Sequence, residues 1–392
     1  MSLFGSKEIK AERKLLLDIR SSSVSAAILN TGPEIPEIEY FAQNVLSSSI
    51  DSGENTERFI KEMLVLVDKT LEEVSTKGLL SLSEKDKKIK IKEVLVTYGS
   101  PWNKVFTRDL KIKKEKEFVL TKDKFDKLVE QQIKIEEEKA KGKRVIEKDV
   151  THVILNGYEL TDPFDKKAKE LTISFYVSFI SEKILKSVED SLDKHFHKIK
   201  VTNRTFPIIL FSSIRNTLIN ASTFSFFDIS GEVTDFGIVD RGSLIFTGSI
   251  PMGKNHIIRE VAKNCKMENS STSSILSLLA KDEANESCNA NIKEALEKVE
   301  QNWINEMKKS FETAGLSVPK RSFITVDNEG SEIFSKTLNK PFSRRNLFET
   351  EQEVQVVVLG EEKLRKFINK KDGTKPNPHI CLVSVFLSNL ET

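Results

Sequence analysis

Two short segments of the chain repeat one pattern of residue types that suits the binding of phosphate groups. In each segment an aspartate ends an apolar stretch, and a turn of small polar residues follows. Backbone N–H groups and hydroxyls in such turns form anion-binding concavities, and the aspartates can hold a hydrated Mg²⁺ beside the phosphates. The residues that we expect to contact phosphate are Asp18, Arg20, Ser21, Ser22, Ser23, Asp228, Ser230, Gly231 and Thr234.

The repetition of this pattern is more specific than either turn alone. Hairpins with an aspartate followed by serine or glycine are common, and Asp18 and Asp228 could simply accept hydrogen bonds from turn amides. Two such turns in one chain can instead face each other and clamp a nucleotide triphosphate. The purely structural alternative for the two aspartates stays open at this point.

The elements around the first turn predict an α/β layer. Residues Lys14–Leu29 form two apolar stretches with a polar turn between them, which indicates a pair of strands. A third strand is predicted at Glu37–Gln43, a helix at Glu57–Lys77 and another strand at Ile89–Thr97. This order is typical of a sheet that is covered by helices.

A second unit of the same kind is predicted around the second turn. Strands at Thr223–Asp228, Thr234–Val239 and Ser243–Ser249 would form a β-meander. The segments that we expect to follow it are helices His256–Cys265, Ile275–Ala280 and Ile292–Gly315, strand Phe323–Val326, helix Ser331–Asn339 and a final helix Ile380–Leu390.

Between the two units the sequence pattern changes at Trp102. Short apolar runs surround a charged helix at Thr121–Gly142, which predicts a small inserted α+β module; the runs are Lys104–Ile112, Val150–Glu159 and Leu171–Phe179. A helix at Ser181–His197, a strand at Lys198–Val201 and a serine-rich helix at Ser212–Asn220 follow. The predicted domains are residues 1–100 and 179–221 for a first lobe, 101–178 for the module, 222–374 for a second lobe with a helical subdomain at about 256–315, and 375–392 for a helix returning to the first lobe.

Composition limits the class of protein. A chain of 392 residues is too long for one hydrophobic core, so two or more domains are expected. The charges of its 61 basic and 59 acidic residues nearly cancel, so the chain has no overall positive charge that would attract nucleic acid. The three cysteines are odd in number and lack the spacing of a metal site, which favours a reducing cytoplasm. The sequence contains no run of about 20 apolar residues, so no membrane-spanning helix is predicted. Any membrane contact would be peripheral.

The motifs resemble those of the actin-like ATPase superfamily, in particular the FtsA and PilM families. LLLDIRSSSVSAAIL looks like the first phosphate motif, and FFDISGEVTDFGIVDRGSLIFTGSIPMGKNHIIREVA looks like the second. The resemblance implies a two-lobed actin-like, ribonuclease H-like α/β fold with a small α+β module inserted in the first lobe. It also implies ATP between the lobes, with Mg²⁺ held through water by Asp18 and Asp228. Gly330, Asn328 and Lys254 would lie on the adenosine side.

The chain departs from the family pattern in ways that reduce the expected chemistry. The second turn carries Glu232, a carboxylate that would repel phosphates. Of the glycine cluster on the adenosine side only Gly330 is present. Thr205 is the polar group available to position a water before the second lobe. We expect at most a slow ATPase and not a metabolic kinase, which would need a carboxylate base in the cleft.

The resemblance implies a cytoplasmic FtsA-like scaffold of bacterial cell division that binds ATP weakly or in degenerate form. It would act through self-association and docking of a tubulin-like division protein, and would reach the inner face of the membrane through partners. A PilM-like adaptor of a type IV pilus or secretion system is the alternative, gripping the cytoplasmic tail of a membrane protein near the inserted module. A nucleotide-free pseudo-ATPase scaffold is the second alternative. Nucleic acid is not expected as a partner.

Overall fold

A computed structural model describes residues 12–46, 56–83, 89–160, 162–218, 222–281, 290–326 and 330–391 of the protein. The strands in these ranges are β1 (Arg13–Ile19), β2 (Ser23–Asn30), β3 (Glu37–Val45), β4 (Glu93–Tyr98), β5 (Asn103–Val119), β6 (Lys143–Leu155), β7 (Tyr158–Glu159), β8 (Lys167–Ser181), β9 (Lys200–Thr205), β10 (Phe224–Ile229), β11 (Thr234–Asp240), β12 (Ser243–Ile250), β13 (Arg321–Val326), β14 (Gln355–Val358) and β15 (Asn369–Lys370).

The helices cover the sheets that these strands form. They are α1 (Thr56–Glu73), α2 (Leu79–Ser83), α3 (Lys122–Lys139), α4 (Glu182–His195), α5 (Phe206–Ser213), α6 (Lys254–Cys265), α7 (Asn269–Ala280), α8 (Ala290–Ala314), α9 (Ser331–Asn339), α10 (Pro341–Asn346), α11 (Glu361–Leu364) and α12 (Pro378–Glu391), with π-helical turns at Val74–Gly78 and Ile214–Leu218. In the described ranges no helix combines the length and apolar character that crossing a membrane requires.

The first sheet has the strand order β15-β3-β2-β1-β4-β9. Strands β1, β2 and β3 pair antiparallel, whereas β4 runs parallel to β1. Leu15 and Leu17 pack with α1 and α4 on one face, and Leu16 packs with α5 and α12 on the other. Because both faces are covered, β1 is a continuous apolar run without polar alternation.

The second sheet, with the order β12-β11-β10-β13-β14, repeats this arrangement. Strand β10 pairs antiparallel with β11 and parallel with β13, as β1 does with β2 and β4. Phe227 packs beneath α6 and α8, whereas Phe226 shares a buried cluster with Leu16 of the first sheet. Helices α5 and α12 contribute to that cluster, so one core joins the two lobes.

A third sheet with the order β5-β8-β6-β7 lies between β4 and α4 in the chain. Helix α3 packs on it through Ile133, and its core also contains Phe175 and Phe179 of β8. Its strands extend beyond the predicted apolar runs, and β5 continues to Val119 through a largely charged sequence. The charged residues are exposed on an edge strand, which is why hydrophobicity alone ended the predicted strand at Ile112.

Some elements differ from the prediction. The helix expected at Ser212–Asn220 begins earlier, at Phe206, and continues as a π-helical turn at Ile214–Leu218. Pro207 lies in its first turn, where a missing N–H costs nothing, and the helix is buried on all sides, so its sequence has no amphipathic period. The strand predicted from Ile89 begins at Glu93, and the short elements β14, β15, α10 and α11 were not predicted.

Candidate functional site

The two predicted phosphate turns occupy equivalent positions in the two lobes. The β1–β2 turn is closed by the amide of Arg20, which donates to the Ser23 carbonyl at 2.9 Å. The β10–β11 turn is closed in the same way by Ser230, whose amide donates to the Val233 carbonyl at 3.0 Å. The resemblance between the two sequence motifs therefore reflects one hairpin geometry used twice.

The tips of the two turns touch each other. The hydroxyls of Ser21 and Ser230 lie 2.6 Å apart, and the amide of Glu232 donates to the Ser21 hydroxyl at 2.9 Å. A Cβ atom placed on Gly231 would lie 2.2 Å from the Ser22 Cβ, so only glycine fits there. Ser21, Ser22, Ser230 and Gly231, which were predicted to contact phosphate, contact the opposite turn in this structure.

Arg20 lies at the centre of the contact and is 1% exposed. Its Nε donates to Asp18 Oδ2 at 3.0 Å, and its Nη1 donates to Oδ2 of Asp228 in the other lobe. The remaining carboxylate oxygens accept from Thr97 Oγ1 at 2.5 Å and from His379 Nε2 at 2.8 Å. Both aspartates predicted to hold Mg²⁺ thus use every carboxylate oxygen within the protein.

The surroundings of Arg20 fix its guanidinium. The group lies 3.6 Å from the ring centroid of Phe206, a cation–π arrangement, and the indole of Trp102 donates to the Arg20 carbonyl at 2.8 Å. Burial opposes ionisation of Arg20, but Asp18 and Asp228 outweigh it and raise the pKa of Arg20 above its ordinary value. Burial likewise opposes the charge on Asp228, yet Arg20 and His379 lower its pKa.

A second link between the lobes lies beside this network. Asp235 of β11 accepts from the amide of Ser100 at 3.2 Å and from its hydroxyl at 2.6 Å. Burial, followed by the nearby charge of Asp228, raises the pKa of Asp235 to about 7. The Ser100 link therefore involves a carboxyl group that changes its charge near neutral pH.

Helix α6 begins against the second turn. The amides of Lys254 and Asn255 donate to the carbonyls of Ser230 and Gly231 at 2.9 and 2.7 Å. These N–H groups at a helix N-terminus are the kind that bind phosphate in other proteins, and here they bind the protein's own backbone. Gly253 permits this approach, because a Cβ there would lie 2.3 Å from the Ser230 carbonyl oxygen.

Glu232, which departed from the family pattern, has a specific partner. Arg259 of α6 donates to its two carboxylate oxygens at 2.9 and 2.6 Å, and Asn255 donates at 3.3 Å. The pair is bidentate, and the Glu232 side chain is 3% exposed. The negative charge that would repel a phosphate is thus neutralised by Arg259, and this ion pair holds the turn against α6.

The predicted adenosine side is only partly described. Gly330 precedes α9 with φ 105°, a conformation that favours glycine, and its nearest side chain is Lys254. Together with Ile257, Leu276 and other residues they line a cavity of about 70 Å³. Sites for drug-sized ligands measure roughly 300–1,000 Å³. Asn328 lies outside the described residues.

Thr234 has a structural role at the start of β11. Its hydroxyl donates to the Met252 carbonyl at 2.6 Å and accepts from the indole N–H of Trp303 at 3.0 Å. The contact connects α8 to the second turn through two buried polar groups.

The structure brings the predicted phosphate-side residues together at one interface, and it adds partners that the sequence analysis did not single out: Thr97, Ser100, Trp102, Phe206, Asp235, Arg259 and His379. His379 offers the clearest sequence signal, because it directly precedes the apolar segment Ile380–Leu387. A histidine at the start of a buried helical segment needs a polar partner. Its partner Asp228 is 151 positions away.

Comparison with known proteins supports the fold. No protein-family profile matches the chain. No curated protein matches it by sequence either. Among solved structures, the PilM–PilN type IV pilus biogenesis complex superimposes with a TM-score of 0.61 at 11% identity, covering 97% of this chain and 99% of the other.

Two further structures align over most of the chain. Ethanolamine utilization protein EutJ from Carboxydothermus hydrogenoformans has a TM-score of 0.46 at 9% identity, covering 96% of this chain and 89% of that one. A Bacteroides thetaiotaomicron protein with an actin-like ATPase fold and unknown function has a TM-score of 0.41 at 10% identity, covering 98% and 99%. Two equivalent α/β lobes and an inserted sheet give this chain the two-lobed actin-like fold.

Proposed function

We propose that this protein is a nucleotide-independent actin-fold scaffold, an adaptor of the PilM kind that binds a segment of a membrane-associated partner. The observation that carries the proposal is the buried guanidinium of Arg20, which bridges Asp18 of one lobe and Asp228 of the other. Where the resemblance implied ATP and Mg²⁺, the chain supplies its own cation and closes the lobes upon it.

The charges at this position do not fit a magnesium nucleotide. Arginine stays protonated in proteins, so Arg20 keeps its positive charge and cannot make room for a second cation by losing a proton. Hydrated Mg²⁺ would have to break the hydrogen bonds that Arg20, Thr97 and His379 make to the two carboxylates. Loss of both carboxylate partners would leave the buried guanidinium of Arg20 without a counter-charge, which costs several kcal/mol.

The contacts between the turns also do not fit a triphosphate. Gly231 packs against Ser22, and the α6 amides that could bind a phosphate donate to the carbonyls of Ser230 and Gly231. Nucleotide binding would require separation of the lobes along a buried interface. The same contacts serve a scaffold well, because they hold the two lobes in one relative position without a ligand.

The adaptor role extends this proposal to a partner. A solved structure of similar fold is a PilM–PilN type IV pilus biogenesis complex, and we propose a pilus or secretion adaptor role for this chain by that likeness. The FtsA-type division role, with a tubulin-like partner and a self-polymer, remains a prediction. The FtsA-type role requires the lobes to move when a nucleotide binds, and the buried contacts between the closed lobes oppose that movement.

Equilibrium titration of the purified chain with Mg-ATP tests the proposal, with Asp18→Ala and Asp228→Ala as comparison variants. We expect no saturable heat up to millimolar nucleotide in any of the three proteins. Sedimentation with and without Mg-ATP should give the same distribution of species. Saturable binding to the wild type that Asp228→Ala abolishes would overturn nucleotide independence, and nucleotide-dependent assembly would favour the FtsA-type role.

A further inference from the structure

A buried carboxyl group of the inserted module binds the first lobe. Glu147 of β6 is 2% exposed, and its Oε2 atom accepts hydrogen bonds from the amide and the hydroxyl of Thr205 at 3.0 and 2.5 Å. Ser178 of β8 donates to the same oxygen at 2.5 Å. The Tyr176 hydroxyl, also of β8, lies 2.5 Å from the Thr205 hydroxyl. We call the hydrogen bonds of Glu147 and Tyr176 to Thr205 the module contact.

The module contact lies at the start of a helix that packs between the lobes. Thr205 directly precedes α5, and its side chain makes no capping hydrogen bond to that helix. The Thr205 hydroxyl binds the module instead. The next residue, Phe206, packs its ring against the guanidinium of Arg20. The module therefore holds the residue directly before the one that contacts Arg20, so its attachment and the interface between the lobes meet at α5.

The other oxygen of Glu147 is not satisfied. Its Oε1 atom is buried and accepts no hydrogen bond from the residues that the structure describes. Arg204 of β9 lies beside it, but the distance from its Nη1 to Oε1 is 3.9 Å, which is too long for a hydrogen bond. The same Nη1 lies 3.8 Å from Oδ2 of Asp149, so two carboxylates share one cation. The Nε of Arg204 is also buried, and no described residue accepts a hydrogen bond from it.

This geometry disfavours an ionised Glu147 while the module contact is formed. Moving a carboxylate out of water is costly unless a close cation and hydrogen bonds offset the loss of hydration. The hydrogen bonds of Glu147 reach Oε2 only, and Arg204 is not close enough to compensate Oε1. If the module contact opens, the carboxylate regains water and can approach Arg204. Loss of the Glu147 proton therefore favours the open form.

The surroundings of Glu147 set the pH range of this effect. Burial raises the pKa of Glu147 to about 7, although its hydrogen bonds and Arg204 act against burial, and the charge of Asp149 raises it further. Tyr176 is the other titratable group that faces the contact in the described part of the chain, and burial raises its pKa well above the ordinary value, so Tyr176 stays neutral. A solvated glutamate has a pKa of about 4.3. Glu147 is thus the group whose charge changes at this contact.

We propose that Glu147 makes the attachment of the inserted module to the first lobe dependent on pH: the protonated carboxyl holds β6 against Thr205, and its ionisation weakens the module contact. The closed form binds more protons than the open form between the two pKa values, so opening increases as pH rises from about 4 to about 7 and stays constant above that range. Acidification therefore fixes the module and the start of α5. This contact does not depend on whether the chain is an adaptor, so a negative result leaves the proposed function untouched.

Hydrogen exchange of the full chain, resolved to single residues by mass spectrometry, tests the effect at the Thr205 amide. This amide must leave Glu147 before it exchanges. After correction for the intrinsic pH dependence of exchange, its protection in the wild type should fall about tenfold or more between about pH 5 and about pH 7.5. Glu147→Gln keeps the side chain neutral at every pH, so its Thr205 protection should change less than about twofold. Glu136→Gln, at another buried glutamate of the module, is the matched control and should behave as the wild type.

Arg204→Gln separates the effect of charge from a general loosening of the module. Arg204 stabilises the ionised form of Glu147, so its removal should lower Thr205 protection about threefold or more above about pH 7 and much less at about pH 5. The double variant with Glu147→Gln should lose this dependence on pH. Equal pH dependence of Thr205 protection in the wild type and Glu147→Gln would overturn the proposal. If Glu147→Gln does not fold, an Arg204→Gln effect of the same size at both pH values would overturn it as well.

Discussion

The guanidinium of Arg20 in the first lobe donates a hydrogen bond to the carboxylate of Asp228 in the second lobe, 208 positions later in the chain. Both groups are about 1% exposed, and Arg20 simultaneously contacts Asp18. Buried ion pairs are stable only when every member keeps its partners. The buried ion pair between the two turns therefore depends on one arginine.

Removal of the Arg20 cation should destabilise the protein strongly. Arg20→Ala leaves the carboxylates of Asp18 and Asp228 buried without their cation, and we expect a loss of about 3–5 kcal/mol in the free energy of unfolding. Urea denaturation at neutral pH measures it. Arg58→Ala is the matched control, because the Arg58 side chain is 69% exposed and its pair with Glu62 should contribute less than about 0.5 kcal/mol. Similar losses in the two variants would contradict the proposed role of Arg20.

The contact between the turns should also be sensitive to one added methyl group. Gly231→Ala places a Cβ 2.2 Å from the Ser22 Cβ, and overpacking of this kind costs about 1–3 kcal/mol. Gly360→Ala is the control, since no described atom lies within 4 Å of the added Cβ. The double variant Gly231→Ala with Ser22→Gly should recover part of the loss, as urea denaturation of the wild type, the two single variants and the double variant would reveal. If the two changes add independently, the turns do not touch as described.

The sequence predicted the two hairpins because their signals are local. The apolar run of β1, the alternation in β2 and the small residues between them lie within a few positions of one another. The predicted list of site residues also included Arg20, Asp18 and Asp228. Their mutual pairing could not be read from the sequence, because the Arg20 and Asp228 side chains meet only after both lobes have folded.

Two of the residues that the sequence analysis missed share one property. Phe206 and His379 belong to helices α5 and α12, whose side chains are buried on nearly every side, so neither helix shows an amphipathic period that predicts what it faces.

The hydroxyl of Thr234 should stabilise the second lobe measurably. Thr234→Val retains the shape of the side chain but leaves the Trp303 N–H and the Met252 carbonyl buried without partners. We expect a loss of about 2 kcal/mol or more. Thr234→Ser retains the hydroxyl and removes one methyl group, which should cost about 1 kcal/mol. Thermal unfolding followed by tryptophan fluorescence compares the variants, and equal losses would mean that the hydrogen bonds contribute nothing.

The raised pKa of Asp235 should make stability fall as pH rises toward neutrality. The carboxyl has a pKa of about 7 in the folded protein because of burial and the charge of Asp228, compared with about 3.9 when unfolded. Between these values the folded state binds more protons than the unfolded state, so the free energy of unfolding decreases with rising pH in that window. Glu147, whose pKa burial also raises to about 7, acts in the same direction.

Asp235→Asn removes one of these titrations while retaining a side-chain oxygen for Ser100. The variant should therefore gain stability relative to the wild type as pH rises from about 4 to about 7, by at most about 4 kcal/mol, and the difference should stay constant above that range. Urea denaturation across this window measures the difference. Asp240→Asn, an exposed aspartate on the same strand, is the matched control. Parallel stability curves for the wild type and Asp235→Asn would show that the Asp235 carboxyl does not titrate there.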